Sequence, residues 1–234
     1  MIERMNRIAL SIALLALSAS ATAAPRPGLR PTANPGAVIA AEIGFAALAQ
    51  EKGQWTAFRT IAAKGARMFA PQPVLVAEFL KNRKDPAVAV KWQPHSVWSS
   101  CDGSIAVTRG AWQRPPATGY FITVWQRQKD GGYKWVLDQG DDLALPLAEP
   151  DAIDGVVADC PAPGQHPDAK ARPPIGPQPL TDSLSAKAND DTLAWATTVD
   201  AGGGRTFSLT LRKDGAMREV LHASVKPNAK PSPG

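Results

Sequence analysis

The sequence is poor in the residues that build most catalytic and metal-binding centres. It has two cysteines and three histidines, and the patterns H-E-x-x-H, C-x-x-C, G-x-S-x-G and G-x-G-x-x-G and the P-loop are all missing. Zinc peptidases, thiol–disulfide oxidoreductases, serine hydrolases and nucleotide-driven enzymes of the common types depend on such patterns. The histidines lie far apart, at 95, 166 and 222, so we expect neither a histidine-based metal site nor a bound cofactor.

The sequence also lacks an apolar run long enough to cross a membrane. Its most apolar stretch, Ile8 to Leu17, is ten residues long, about half of what a spanning helix needs. Arg4 and Arg7 precede this stretch and Ala21-Thr22-Ala23 follows it, which is the pattern of a secretory signal peptide. We therefore predict a signal peptide over 1–23, a periplasmic or secreted mature protein and no stable membrane span.

Positive charge is present but dispersed. The formal net charge is +5, yet no basic patch interleaved with aromatic residues occurs along the chain. Such a patch is the usual sequence signature of nucleic-acid binding, so we do not expect a nucleic-acid partner.

The two cysteines, Cys101 and Cys160, both lie in the part of the chain predicted to be exported. An even number of cysteines in an oxidising compartment favours a disulfide over two buried thiols. Such a bond would close a loop of about 60 residues and add roughly 3–4 kcal/mol of stability in the chain-entropy model.

Helical patterns fill the first part of the mature chain, after a proline-rich leader at 24–35. Asn34-Pro35 is a favourable helix start, and Val38, Ala41, Phe45 and Leu48 recur at helical spacing up to Gly53. The sequence predicts a second helix over 54–63 and a third over 76–83.

After Pro86 the pattern changes to strands. Alternation predicts strands over 88–101, 105–112, 120–128 and 133–138, with Pro94 marking a bulge or an edge. The pattern puts Ile105 and Val107 on one face of their strand, and Tyr133, Trp135 and Leu137 together on one face of theirs. We therefore predict that residues 36–160 form one α+β domain with a mainly antiparallel sheet.

The rest of the chain is divided by a proline-rich stretch. Residues 161–179 contain seven prolines and predict an extended linker. Alternating segments within 180–226 predict a three-stranded β-meander, which needs a partner surface because it buries little by itself. That surface is either the main domain or another chain. Residues 227–234 are predicted to form a disordered tail.

Two segments resemble a known family. They are W-Q-P-H-S-V-W-S-S-C-D-G-S-I-A-V-T-R-G-A-W at 92–112 and G-Y-F-I-T-V-W-Q-R-Q-K-D-G-G-Y-K-W-V-L-D-Q-G-D at 119–141. Both are similar to exported SnoaL-like domains of uncharacterised function, a branch of the nuclear transport factor 2-like superfamily. The segment A-L-A-Q-E-K-G-Q-W-T-A-F-R at 47–59 resembles the same branch. The resemblance covers residues 36–160 and does not extend to the meander.

The resemblance implies a fold and a short set of functions. The implied fold is a cone in which three N-terminal helices close over a curved, mainly antiparallel sheet, with a cavity at the mouth of the cone. Proteins of this fold include isomerases, dehydratases, cyclases and non-catalytic binding modules, so the fold does not decide the function. A homodimer through the outer face of the sheet is a further implication.

Aromatic residues are the main candidates for a ligand site. Five of the seven tryptophans lie in the four predicted strands of the α+β domain, where they either line an apolar pocket or fill the core. The residues predicted to bind a ligand are Phe58, Phe69, Trp92, Trp112 and Trp125.

Three polar residues are candidates for catalysis. His95 could act as an acid or base, or could be a hydrogen-bonded structural histidine at the strand bulge. Asp138 with Tyr120 would match the carboxylate and tyrosine of ketosteroid isomerase-like sites. The alternative for Asp138, with Asp141 and Asp142, is a solvated turn at the end of a strand.

The sequence is therefore compatible with three functions. The first is binding of a small apolar or amphipathic molecule in the cone. The second is an isomerase, dehydratase or cyclase that uses His95 or Asp138 as general base. The third is a non-catalytic interaction module of the cell envelope, with the meander as its docking surface.

Overall fold

Three helices begin the described part of this computed structural model, which covers residues 32–70, 72–162 and 183–227. Helix α1 spans Pro35–Lys52, α2 spans Gln54–Ile61, and α3 is the short segment Val76–Phe79. The predicted start of α1 is confirmed, because the Asn34 side chain accepts a hydrogen bond from the Ala37 N–H at 3.1 Å. The predicted signal peptide, almost all of the proline linker and almost all of the tail lie outside the described residues.

A seven-stranded sheet forms the centre of the structure. Its strands are β1 Ala62–Phe69, β2 Pro73–Leu75, β3 Lys91–Ser99, β4 Ile105–Arg114, β5 Ala117–Arg127, β6 Tyr133–Leu143 and β7 Asp154–Val157. Their order across the sheet is β2-β1-β6-β5-β4-β3-β7. Neighbours are antiparallel except for the parallel pairs β1–β6 and β3–β7. The α+β class with a mainly antiparallel sheet is therefore confirmed.

A second, separate sheet follows in the chain. It consists of β8 Ser183–Lys187, β9 Leu193–Val199, β10 Arg205–Lys213 and β11 Ala216–Val225, in the antiparallel order β11-β10-β9-β8. The three-stranded prediction was wrong by one strand. The sequence of β8 has only Leu184 and Ala186 as inward apolar residues, which is too weak an alternation to identify a strand.

The two sides of the seven-stranded sheet bury different cores. On one side, α1 and α2 pack with residues such as Phe45, Phe58 and Trp125. On the other side, the second sheet packs against it, with Leu209 and Leu211 buried among residues such as Val107. The four-stranded sheet thus docks on the main domain, on the face that the resemblance assigns to a dimer contact.

Two sequence predictions on local structure were wrong. The segment Ala62–Phe69 forms strand β1 rather than a helix end and an irregular stretch, because the backbone is already extended at Ala62, with φ −60° and ψ 139°, directly after α2 ends at Ile61. The prediction that Trp135 and Leu137 share one face of their strand was also wrong, because they lie in the cores on opposite sides of the sheet. The β5–β6 pairing shifts register between Val124 and Trp125, and this bulge reverses the alternation.

The predicted disulfide is confirmed. Cys101 and Cys160 are bonded, with their Cα atoms 5.2 Å apart. Such bonds are characteristic of oxidising compartments. The bond joins the turn between β3 and β4 to the chain after β7.

The same turn also holds the second sheet. The backbone N–H of Cys101 donates to Thr192 Oγ1 at 2.9 Å, and the N–H of Asp102 donates to Asp190 Oδ2 at 2.8 Å. The N–H of Asn189 donates to Ser104 Oγ at 3.0 Å. Polar contacts at the S-C-D-G turn therefore fix one end of the four-stranded sheet.

No helix among the described residues is long and apolar enough to span a lipid bilayer.

Candidate functional site

A cavity of about 480 Å³ lies between the helices and the seven-stranded sheet. Its aromatic part consists of six side chains contributed by α1, α2, β3, β4 and β5: Phe45, Trp55, Phe58, Trp92, Trp112 and Phe121. Several of these rings meet edge to face, as Phe45 and Trp92 do with 4.9 Å between centroids. The aromatic wall is thus held by ring packing from both the helices and the sheet.

Three glycines lie beside two of the rings that line this cavity. In the β4–β5–β6 register, Gly110 and Gly140 flank Phe121, and Gly119 is opposite Trp112. A Cβ atom at Gly110 would lie 2.8 Å from the Phe121 ring, and one at Gly119 would collide with the Trp112 ring. The two rings therefore occupy the positions that side chains on the neighbouring strands would otherwise take.

A polar strip from β6 forms another part of the lining. It consists of Asp138, Gln139, Gly140, Asp141 and Asp142. Two arginines, Arg114 and Arg205, also line the cavity. The site therefore combines an aromatic wall with a charged rim, which is the usual composition of a small-molecule pocket.

Asp138 is the most perturbed acid of this strip. It is partly buried, and its Oδ2 accepts a hydrogen bond from Thr123 Oγ1 at 2.8 Å. Removal from water raises the pKa of Asp138 to about 7, helped by the negative charge of Glu42 and opposed by Thr123 and the positive charge of Arg205. At neutral pH this carboxyl can therefore both give up and take up a proton.

Glu42 lies behind the aromatic wall and is fully buried. Its Oε1 accepts from the Trp92 indole at 2.8 Å, and its Oε2 accepts from Thr108 Oγ1 at 2.6 Å and from the Trp125 indole at 3.0 Å. Burial raises its pKa, while these three donors lower it. Glu42 thus fixes the orientation of Trp92, whose ring lines the cavity.

The second sheet contributes Arg205 to the rim. Its Nε donates to Gln139 Oε1 at 3.1 Å, and its Nη2 donates to the carbonyl oxygen of Gly140. The guanidinium also lies over the Phe69 ring, 4.8 Å from its centroid. Arg205 is therefore held against β6 rather than paired with a carboxylate.

The predicted ligand-binding residues are divided between three places. Phe58, Trp92 and Trp112 line the cavity. Trp125 is fully buried beneath it and bonded to Glu42, and Phe69 is covered by Arg205.

The predicted catalytic residues are not brought together. Asp138 lines the cavity, whereas Tyr120 is buried in the core between the two sheets, with Arg109 over its ring. His95 lies at the predicted bulge, where the register of β3 shifts between Pro94 and Ser96. It is 8% exposed, and burial and the charge of Arg109 lower its pKa. Among the described residues, His95 Nε2 has no hydrogen-bond partner.

Sequence reasoning missed Glu42 and Arg205. Glu42 shares the buried stripe of α1 with Val38, Phe45 and Ala49. A carboxyl on an apolar helical stripe is the signal that could have found it, because a buried acid needs dedicated partners. No comparable signal exists for Arg205, since nothing in its own sheet shows that it reaches β6.

Comparison with known proteins adds no relative. No protein-family model matches the chain, and no curated protein does either. The resemblance to SnoaL-like domains therefore stays a prediction from the sequence. Within the described ranges, no three His, Cys, Asp or Glu side chains are grouped so that they could hold a metal ion.

Proposed function

We propose that this protein is an exported binding protein that holds a small amphipathic molecule in the cavity between its helices and its main sheet. The observation that supports this most is the cavity of about 480 Å³, which is lined by both aromatic rings and the polar strip of β6. Its size lies within the range of about 300–1,000 Å³ typical of small-molecule sites.

We further propose that the fold is a nuclear transport factor 2-like cone of the SnoaL-like branch. Two features support this: α1 and α2 precede the strands in the chain, and they pack on one side of a mainly antiparallel sheet. The disulfide supports placement in the periplasm or outside the cell.

A pair of valines near the cavity gives a direct test of binding. Val90 lines the cavity, whereas Val88 is 70% exposed and does not line it. Val90→Trp should fill the cavity, and Val88→Trp adds the same ring at the surface. Thermal unfolding of wild type with an excess of an aromatic amphiphile, at about 100 times Kd, should show about 2.7 kcal/mol of stabilisation.

The filled variant should lose this stabilisation and the surface variant should keep it. Equal stabilisation of all three proteins would show that the amphiphile binds elsewhere, and the proposal would be wrong.

The second candidate function is catalysis of proton transfer at carbon, as in isomerases, dehydratases and cyclases. The observation that favours it is the position of Asp138 on the cavity wall with a pKa of about 7, close to the value that suits a general base at neutral pH. His95 is absent from the cavity lining and would not take part.

Deuterium exchange at the α-carbon of a cyclic ketone, followed by NMR in D2O, tests this candidate. Wild type should accelerate the exchange, and Asp138→Asn should not, although both still bind the ketone. Equal exchange in both proteins would exclude Asp138 as the base.

We do not propose the envelope interaction module. It requires a filled cone and an exposed apolar patch on the meander. Among the described residues of that sheet, Met217 is the one large hydrophobic side chain with substantial exposure.

A further inference from the structure

We infer that the ligand is an organic cation: a molecule with an apolar ring or chain and an ammonium group placed against Asp138. This inference rests on the proposed binding function, because it names the chemical class that the same cavity would hold.

Asp138 has no directly bonded countercharge within the described residues, because the charge of Arg205 acts on it without an ion pair. One of its oxygens accepts from Thr123, and among the described residues no Lys or Arg makes an ion pair with Asp138. Arg205, the nearest candidate, donates to Gln139 and Gly140 instead. A carboxyl partly removed from water favours a cationic partner, and the cavity is where such a partner would enter.

The charge at the cavity differs in sign from that of the whole chain. The chain as a whole carries a formal charge of +5, but the cavity is lined by three aspartates and two arginines. Glu42, buried directly behind Trp92, adds a further acidic group. An anion would have to approach this acidic strip, and a neutral ligand would leave Asp138 without a directly bonded countercharge.

The aromatic wall of the cavity also favours a cation. Cations are attracted to the faces of tryptophan, tyrosine and phenylalanine rings, and tryptophan is the most favourable of the three. Trp55, Trp92 and Trp112 all line this cavity. Aromatic rings and a carboxylate that line one cavity form a site of the kind that recognises ammonium groups.

Protonation of Asp138 links this recognition to pH. A cation stabilises the ionised carboxyl, so the affinity should rise as the pH increases through about 7. The charges that act on Asp138 are those of Glu42 from α1 and Arg205 from β10. Arg114 from β4 and Asp141 and Asp142 from β6 line the same cavity.

Three probes that share one apolar part test the inference. Calorimetric titration of the full mature chain with phenylbutylamine, phenylbutanol and phenylbutyrate compares an ammonium, a hydroxyl and a carboxylate on the same skeleton. At about pH 8, where Asp138 is ionised, the amine should bind about tenfold more tightly than the alcohol. At about pH 5 this preference should be largely lost.

Two asparagine variants locate the effect. Asp138→Asn should weaken the amine about tenfold and leave the alcohol within about twofold. Asp154→Asn removes the same charge from an exposed residue of β7 and should change neither affinity.

The outcomes separate the two proposals. If the alcohol or the acid binds as tightly as the amine, the cation inference is wrong and the binding function stands. If the amine is preferred equally by wild type and Asp138→Asn, the preference does not come from Asp138 and the inference is also wrong. If none of the probes binds, both proposals fail.

Discussion

The two sides of the seven-stranded sheet differ in what covers them. The side facing the second sheet is closed and mainly aliphatic, with Leu209 and Leu211 fully buried. The side facing the helices is aromatic, contains the buried carboxyl of Glu42 and leaves a cavity of about 480 Å³.

This difference separates stability from function. Well-packed aliphatic contact stabilises a fold at about 25 cal/mol per Å² of buried apolar surface. An open cavity with an ionisable wall gives up part of that stabilisation, which natural proteins usually do at functional sites. The helix-facing side is therefore where function is expected, and the opposite side where stability is expected.

The largest effect should come from the covalent link next to the closed side. Replacing Cys101 and Cys160 with alanine should lower the free energy of unfolding by about 4 kcal/mol, because the open chain gains conformational freedom when it unfolds. Urea denaturation of the oxidised wild type and the double variant measures this difference. An unchanged midpoint would mean that packing alone holds this end of the second sheet.

A somewhat smaller effect is expected within the closed side itself. Leu209→Ala removes a fully buried side chain between the two sheets and should cost about 3 kcal/mol. The affinity for phenylbutylamine should stay the same, because Leu209 is not part of the cavity lining. A loss of affinity in folded protein would show that the two sides are coupled, and the comparison would fail.

On the open side, the effect should depend on pH. The pKa of Asp138 is raised from 3.8 to about 7 by folding, so the folded state holds its proton more tightly than the unfolded state. Stability from this group is complete below about pH 4 and is lost as the pH rises to about 7. Wild type should therefore lose about 2 kcal/mol more than Asp138→Asn over this range, since water in the cavity reduces the full effect.

Denaturation of both proteins at a series of pH values gives this difference. Because all other titrating groups are shared, their contributions cancel. Parallel stability curves would mean that the Asp138 carboxyl is solvated as well in the folded protein as in the unfolded chain.

The smallest effect is expected on the outer face of the second sheet, which lines neither side of the seven-stranded sheet. Met217 is 45% exposed there. Met217→Ser should change the free energy of unfolding by less than about 0.5 kcal/mol. A larger loss that depends on protein concentration would indicate that this face is buried in an assembly.

Patterns in the sequence predicted the elements that follow simple periodicity. Three features could be predicted because each depends on local chemistry: the start of α1 at Asn34, the bulge near Pro94 and the return of the chain to the sheet at Cys160. Strand β1 could not be predicted from the sequence, since its parallel pairing with β6 is a long-range contact.

The site was predicted in part for the same reason. Trp92, Trp112 and Asp138 stand out in strands by residue type alone. The position of Phe121, and of the glycines beside it and beside Trp112, depends on cross-strand register, which a single sequence does not specify. A bulge such as the one at Val124 changes which side chains face the cavity, and it has no sequence signal here.

The position of Arg205 has a consequence for how this protein could diversify. The walls of the cavity are encoded by residues 45–142, whereas part of its rim is encoded more than sixty residues later, by Arg205 and Val225. Substitutions in β10 and β11 would therefore change which molecules enter the cavity of the proposed binding protein without disturbing the aromatic wall. The C-terminal sheet would then act as an exchangeable selectivity element, and homologous chains could share one cavity while admitting different molecules.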